Sequence, residues 1–169
     1  AQFQAALLES GPITLHLRAD ITLTAIHTVG TDKVIIPDNY RFIQGGSGGL
    51  ICMGTLDKGR DQVFSGFVAG DITGTFGSNL AYPEWWGLTD GRHDVAINCA
   101  VKAARLVSSG FGLRVSLATR VYDVAAPIDL ASTAVALVGS GRNLTFLRAT
   151  TAWDAKWVKA EQWGAPGDP

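Results

Sequence analysis

Two adjacent tryptophans, Trp85 and Trp86, stand in a turn bounded by Pro83 and Gly87, and this turn constrains the fold more than any other segment. Turns usually hold small polar residues, so two indole side chains here predict that the turn belongs to a hydrophobic core. Short apolar runs rich in Thr, Ile and Gly precede it, and one amphipathic helical pattern follows it before further such runs. The segment is therefore predicted to be a buried junction between two β-rich regions.

The region before this junction consists of short apolar or alternating runs, which are separated by turn residues. Predicted strands cover residues 13–18, 21–26, 34–36, 40–43, 50–53, 62–67 and 72–76. Alternation of apolar and polar residues is typical of half-buried strands. Runs that recur at intervals of about eight to twelve residues suit a sandwich, a barrel or a stacked solenoid equally.

One helix is predicted directly after the junction, over residues 94–108. Its apolar residues recur at helical spacing on one face, namely Ile97, Ala100, Val101, Ala104 and Val107. Asp94 is suited to cap the first turn, and Gly110 is suited to end the last one. Because this apolar face is small and rich in alanine, the helix is expected to lie close against its support.

Further strands are predicted after the helix, over residues 113–117, 121–124, 128–130, 134–138 and 144–147. A glycine-rich corner, residues 139–141, separates the last two. The segment 153–163 carries Trp153, Trp157 and Trp163 and is predicted to be a helical or irregular arm. Aromatic residues are enriched at protein interfaces, so these three are candidates for contact with a neighbouring subunit or with carbohydrate.

Several motifs occur here in a recognisable order. They are residues 61–66 (Asp-Gln-Val-Phe-Ser-Gly), 85–87 (Trp-Trp-Gly), 90–94 (Asp-Gly-Arg-His-Asp), 121–124 (Val-Tyr-Asp-Val) and 138–141 (Val-Gly-Ser-Gly). In this order the chain resembles the start of the right-handed parallel β-helix of pectate-lyase-like proteins, and most closely the N-terminal part of phage tailspike or tail-fibre proteins. It departs from that family at Leu88, where Ala is usual, and at residues 93–95, where Thr-Asp-Asp is frequent.

The resemblance implies a mainly β fold: the start of a right-handed parallel, pectin-lyase-like β-helix with one capping α-helix and an N-terminal β-rich segment. The expected division is residues 1–81 for the N-terminal β-rich segment and 82–150 for the junction, capping helix and first coils. Residues 151–169 are expected to form the aromatic arm and a linker. The chain is expected to be part of a longer protein.

Composition excludes some functions. Hydrophobic residues make up 47% of the chain and charged residues 17%, and the formal net charge is −1. Because no basic run is present, a nucleic-acid partner is not expected. No apolar run approaches the about 18 residues of a membrane span. Cys52 and Cys99 lack the spacing of a metal site and are predicted to be buried free thiols, and no cofactor is expected.

The acidic residues nearest the motifs are given structural roles. Asp90 and Asp94 lie at i and i+4 across the start of the helix, so turn formation and capping explain them. Together with Trp85 and Trp86 they form the predicted structural junction. In the resembled family the catalytic residues usually lie on later coils, so no catalytic residue and no metal ligand is assigned.

The resemblance implies a virion structural component. It would be the proximal part of a tailspike or tail fibre that attaches to the phage tail and starts a β-helix for recognition of host surface polysaccharide. A homotrimer, contacts with other tail proteins and polysaccharide binding through a downstream region would follow, and that region would carry any depolymerase activity. The alternatives are the N-terminal part of a secreted bacterial polysaccharide lyase or glycoside hydrolase, a non-catalytic carbohydrate-binding module and a β-sandwich.

Overall fold

The structure, a computed structural model, describes residues 2–105, 114–130, 135–151 and 158–159. Within these residues the chain is mainly β, as predicted, with helices α1 (Gln2–Leu8) and α2 (His93–Arg105) and a 3-10 helix (Pro83–Trp86). The strands are β1 (Ile13–His16), β2 (Ile21–Leu23), β3 (Ile26–Val29), β4 (Lys33–Ile36), β5 (Phe42–Gln44), β6 (Gly49–Cys52), β7 (Thr55–Leu56), β8 (Phe64–Ser65), β9 (Ile72–Gly74), β10 (Leu80–Ala81), β11 (Arg114–Ser116), β12 (Arg120–Val124), β13 (Ile128–Asp129), β14 (Ala136–Val138), β15 (Thr145–Ala149) and β16 (Val158–Lys159).

Strands β1–β9, the first stack, form three parallel sheets in which each strand pairs with the strand three places later. The sheet orders are β1-β4-β7, β2-β5-β8 and β3-β6-β9. Three consecutive strands therefore make one layer: β1–β3 are layer 1, β4–β6 are layer 2 and β7–β9 are layer 3. Ile13 pairs with Lys33 and Ile26 with Gly49, offsets of 20 and 23 residues. The sequence pattern alone was compatible with a sandwich, a barrel or a stacked solenoid. The parallel pairing at this offset arranges the strands in stacked layers.

An aromatic ladder runs through the core and joins the layers. The ring of Phe42 in layer 2 lies 5.4 Å from that of Phe3 in α1 and 6.1 Å from that of Phe64 in layer 3. The ring of Phe64 lies 5.1 Å from that of Trp86. Aromatic side chains bury more apolar area than other residues and gain further from ring contacts. The ladder therefore fixes both α1 and the 3-10 helix to the same core.

Close stacking demands glycine at particular positions. A side chain at Gly48 would clash with the backbone of Leu23 in the layer before it. Gly74 combines a positive φ of 136° with the same close approach to the backbone of Cys52. Glycine is the residue that tolerates both conditions, so the glycine-rich loop 45–49 is a packing element between layers.

Strands β10–β16, the second stack, continue the parallel arrangement, with β10 just before the junction and β11–β16 after it. Their sheet orders are β10-β11-β14, β12-β15 and β13-β16. The longest pairing joins β12 to β15, with Arg120 opposite Thr145 and Val124 opposite Ala149. Residues 151–169 were predicted to form an arm, and of these only 151 and 158–159 lie among the described residues.

Helix α2 lies between the two stacks. It contacts β9 and the 3-10 helix as well as β11, β12 and β13. The predicted apolar face is buried at Ile97, Ala100 and Val101, but Ala96 and Cys99 are buried too. Because elements of both stacks pack against it, the helix is buried over more of its surface than the predicted single face. The predicted last turn, residues 106–108, lies outside the described residues.

Candidate functional site

Glu84 is a buried carboxylate in the same 3-10 helix as Trp85 and Trp86, and it is the centre of the polar junction between the stacks. It occupies the second position of the 3-10 helix and is 9% exposed. The hydroxyl of Tyr122 donates to Glu84 Oε1 at 2.6 Å, and Arg60 Nη1 donates to Oε2 at 3.2 Å. Both carboxylate oxygens are therefore paired, as a buried charge requires.

Arg60 reaches across this junction from the first stack to the second. Its guanidinium donates to the carbonyl oxygen of Ser116 at 3.0 Å and to the Ser116 hydroxyl at 2.9 Å. The same group lies 4.4 Å above the ring of Tyr82, within the range of a cation–π contact. Hydrogen bonds to β11 and to the 3-10 helix, together with the contact with the Tyr82 ring, hold the Arg60 side chain in place.

Tyr122 completes the junction from β12. Besides donating to Glu84, its hydroxyl accepts a hydrogen bond from the backbone N–H of Ala118 at 2.7 Å. Burial and the hydrogen bond to the Glu84 carboxylate both raise the pKa of the Tyr122 hydroxyl. Tyr122 therefore stays protonated and donates at any physiological pH.

Side chains of α2 occupy the edge of β12 and β13 at which an earlier strand would pair. The backbone N–H of Asp123 donates to Nδ1 of His93 at 2.7 Å, and that of Ala125 donates to Oδ1 of Asp94 at 3.0 Å. The carbonyl of Val124 faces the opposite way and accepts a hydrogen bond from the backbone N–H of Thr150, which directly follows β15. Consecutive residues of a parallel strand bond to opposite neighbours, so α2 takes the place of a missing strand.

Asn98 extends the same arrangement along β13. Its Oδ1 accepts from the N–H of Asp129 at 3.0 Å, and its Nδ2 donates to the carbonyl of Pro127 at 2.9 Å. Pro127 has no N–H of its own to satisfy. We call the set His93, Asp94 and Asn98 the edge seal, because unpaired strand edges otherwise invite pairing with another chain.

Asp94 differs from its sequence prediction. The helix begins at His93, so Asp94 is its second residue, and its carboxylate bonds to Ala125 across the fold and to Arg92 at 3.3 Å. Capping of the first turn is therefore not its role, although a negative charge in that turn still favours the helix dipole. Asp90 is exposed in the turn before the helix.

Nε2 of His93 is the one buried side-chain nitrogen or oxygen atom without a hydrogen-bond partner among the described residues. Because Nδ1 accepts from Asp123, the neutral ring carries its proton on Nε2. The centroids of the His93 and Tyr122 rings lie 5.8 Å apart in an edge-to-face arrangement. The imidazole is thus held by one hydrogen bond and by packing.

Both junction tryptophans lie in the core. Trp85 is 1% exposed and donates its indole N–H to the carbonyl of Gly59 at 2.7 Å, while Trp86 packs on Phe64. Neither presents a ring face for stacking on a sugar. The three tryptophans predicted to make contacts, Trp153, Trp157 and Trp163, lie outside the described residues.

The sequence pattern does not single out four residues of this site, namely Glu84, Arg60, Tyr122 and Asn98. One signal was available for Glu84, since it is the single charged residue inside a turn of buried aromatics. The others pair over 24 to 56 residues along the chain, from Arg60–Glu84 to Arg60–Ser116, and no local pattern marks such pairs.

The charged groups of this junction are already paired within the chain. Glu84, Arg60 and Asp94 already have intramolecular partners, and the described residues include no group of three or more His, Cys, Asp or Glu placed to hold a metal ion. Burial raises the pKa of the Cys52 thiol to about 12 and that of Cys99 to about 11, which keeps both thiols protonated and unreactive. In the same part of the chain, no helix is long and apolar enough to cross a membrane.

Comparison with known proteins returned no match to this chain among family models, curated proteins or solved structures.

Proposed function

We propose that this chain is a structural connector: the proximal, N-terminal part of a phage tailspike or tail fibre, in which two stacks of a right-handed parallel β-helix are joined through α2. Every strand pair except β10-β11 joins strands three places apart, and this supports a β-helix because strands linked in this way wind in one direction. The downstream part of such a protein would bind, and in some cases cut, host surface polysaccharide.

The observation that carries the proposal is the edge seal. His93, Asp94 and Asn98 bond to four backbone groups in or next to β12 and β13, those of Asp123, Ala125, Pro127 and Asp129. A stack sealed at one edge can add layers only at the other, so the second stack has a defined start and one direction of growth. That is the property expected of the beginning of a long fibre.

The charged groups of the junction already have partners within the chain, and this also favours a structural role over a catalytic one. A glycosidase needs two carboxylates facing a substrate across about 5 to 9.5 Å. Glu84 is buried and doubly bonded, and Asp94 is buried and bonded to the backbone of Ala125. Neither carboxylate can approach a polysaccharide without loss of the junction.

The experiment that tests this proposal is light scattering coupled to size-exclusion chromatography of the chain, followed by incubation with purified bacterial surface polysaccharides. We expect a mass near three times 17.8 kDa and no release of reducing ends or unsaturated sugars. A monomer that releases sugar would instead identify the start of a secreted polysaccharide-degrading enzyme. A monomer without activity would contradict the trimeric spike and leave a binding module.

A further inference from the structure

The edge seal contains one histidine, His93, beside an aspartate and an asparagine. Histidine is the side chain that ordinarily gains or loses its proton between about pH 5 and 8. Aspartate ordinarily does so near about pH 4, and asparagine does not titrate. Of the three side-chain types in the seal, histidine is therefore the one that a moderate fall in pH changes.

The geometry at His93 fits only the neutral ring. Nδ1 accepts the backbone N–H of Asp123 at 2.7 Å, and an imidazole nitrogen accepts only while it carries no proton. Because Nε2 already carries the proton of the neutral ring, a second proton has to bind at Nδ1. The new N–H would then face the N–H of Asp123, two donors without an acceptor between them. Protonation and this hydrogen bond exclude each other.

The surroundings of the ring also oppose a positive charge. His93 is 3% exposed, and its Nε2 has no hydrogen-bond partner among the described residues. A buried charge whose donors lack partners is costly. His93 is also the first of the 13 residues of α2, and the helix dipole places partial positive charge at that end. Burial and the helix dipole therefore act in the same direction as the hydrogen bond.

The carboxylates next to the ring are already bound to other groups. Asp94, the following residue of α2, accepts from the backbone of Ala125 and from Arg92. On β12, both carboxylate oxygens of Asp123 accept from Arg148, at 2.6 and 2.9 Å. That hydrogen bonding lowers the pKa of the Asp123 carboxyl from its ordinary value, so the group stays ionised where histidine titrates. A protonated ring would gain either carboxylate only by displacing its present partner.

The other elements packed against α2 carry groups that are bonded elsewhere or positively charged. Glu84 of the 3-10 helix accepts from Tyr122, whose ring contacts that of His93. The guanidinium of Arg120 lies 5.5 Å from the centre of the same Tyr122 ring and adds a positive charge there. Strand β9 carries no titratable residue. The remaining groups are the exposed Arg114 of β11 and Asp129 of β13, whose backbone N–H bonds to Asn98.

We propose that His93 makes the edge seal sensitive to acid: protonation of its ring releases the backbone N–H of Asp123 and opens the seal along β12. The seal is complete at neutral pH, where the ring is neutral. It is lost as the pH falls below about 6.5, where histidine ordinarily takes up its proton. Asp94 and Asn98 keep their bonds, so α2 stays attached to the second stack while the edge at Asp123 becomes available. This pH dependence goes beyond the proposed function and does not rest on it, because it needs only the contact between α2 and β12.

The test is NMR of the isotope-labelled full chain between about pH 7.5 and about pH 5. At the higher pH, the nitrogen-15 shifts of His93 should show a ring with its proton on Nε2 and none on Nδ1. Hydrogen exchange of the Asp123 amide, corrected for the intrinsic effect of pH, then measures opening of the seal. Opening should become about tenfold easier per pH unit below about pH 6.5, about 30-fold in total, because only the open form takes up the proton. The Asp129 amide bonds to Asn98, which does not titrate, and should change much less.

His93→Asn is the matched variant, because the amide oxygen of asparagine replaces Nδ1 as an acceptor and does not titrate. The Asp123 amide of this variant should have the same protection at both pH values. Two controls separate other sources of a pH effect. Asp94→Asn removes the carboxylate of the seal, and His27→Gln removes a histidine outside it. Both should keep the pH dependence of the unchanged chain.

Constant protection of the Asp123 amide between the two pH values would overturn the proposal, whatever the state of the ring. So would a proton on Nδ1 of His93 at the higher pH. Equal loss of protection at Asp129 would mean that acid opens the whole fold and not the seal. If His93→Asn retains the pH dependence, the histidine is not its source, and if that variant does not fold, the results on the unchanged chain still decide. The mass measured for the proposed function is a separate readout, so either proposal can fail without the other.

Discussion

Removing the hydroxyl of Tyr122 is the sharpest test of the junction. Tyr122→Phe keeps the ring and its packing against His93 but deletes the donor to Glu84 and the acceptor for Ala118. A hydrogen bond to a charged group contributes about 1.5 to 3 kcal/mol and a neutral one about 0.5 to 1.5 kcal/mol. Because both lost partners are left in a buried place, we expect the free energy of unfolding to fall by about 2 to 4 kcal/mol.

The assay is urea unfolding followed by tryptophan fluorescence, since Trp85 lies beside the junction. The matched control is Tyr40→Phe: Tyr40 is 38% exposed, and this change should alter stability by less than about 0.5 kcal/mol. For a chain of this length the Tyr122 variant should also melt about 5 to 15 °C lower.

A double-mutant cycle with Glu84→Gln then isolates the pair. If Tyr122 and Glu84 act through their shared hydrogen bond, the two changes should be coupled by about 0.5 to 3 kcal/mol. Equal stability of the Tyr122 and Tyr40 variants would refute the reasoning, and additive effects in the cycle would show that the bond itself is not what stabilises the junction.

Two other properties follow from the packing. Gly48→Ala should lower stability by about 3 kcal/mol or more, because its Cβ would clash with the preceding layer, whereas Gly59→Ala meets no atom within 4 Å and should stay within about 0.5 kcal/mol. Urea midpoints decide this, and equal midpoints would contradict the close stacking. The raised thiol pKa values of Cys52, about 12, and Cys99, about 11, make stability fall as pH rises above about 8.5, because the unfolded chain releases those protons first. Unfolding at pH 8 and 10 should show this slope, and a Cys52→Ala/Cys99→Ala double variant with the same slope would contradict it.

Local patterns predicted much of the secondary structure. The alternation around residues 13–16 and the apolar run at Val34 correspond to β1 and β4, and the helical spacing after the junction corresponds to α2. These features could be predicted because they depend on neighbours along the chain: strands alternate every two residues and helices repeat every 3.6. The sequence pattern did not reveal that β1 pairs with β4 and β4 with β7, because the offset varies between 20 and 23 residues as loop lengths change.

The junction residues show the opposite case. Asp94 was assigned to a helix cap from its position alone, but its carboxylate accepts from Ala125, 31 residues away. Glu84 and Tyr122 are 38 residues apart, and no spacing rule brings them together. A polar residue takes the best partner that the folded chain offers, and that partner becomes known only when the stacks are packed.

By itself, the sequence determined that this chain forms short strands, a helix after a double-tryptophan turn and a core rich in aromatic residues. These follow from residue size, hydrophobicity and local periodicity. Only the tertiary structure decided which strands pair and that α2 seals the starting edge of the second stack. Those outcomes depend on contacts between distant residues, where hydrogen-bond geometry and exclusion of water act on surfaces that do not exist until the layers have stacked.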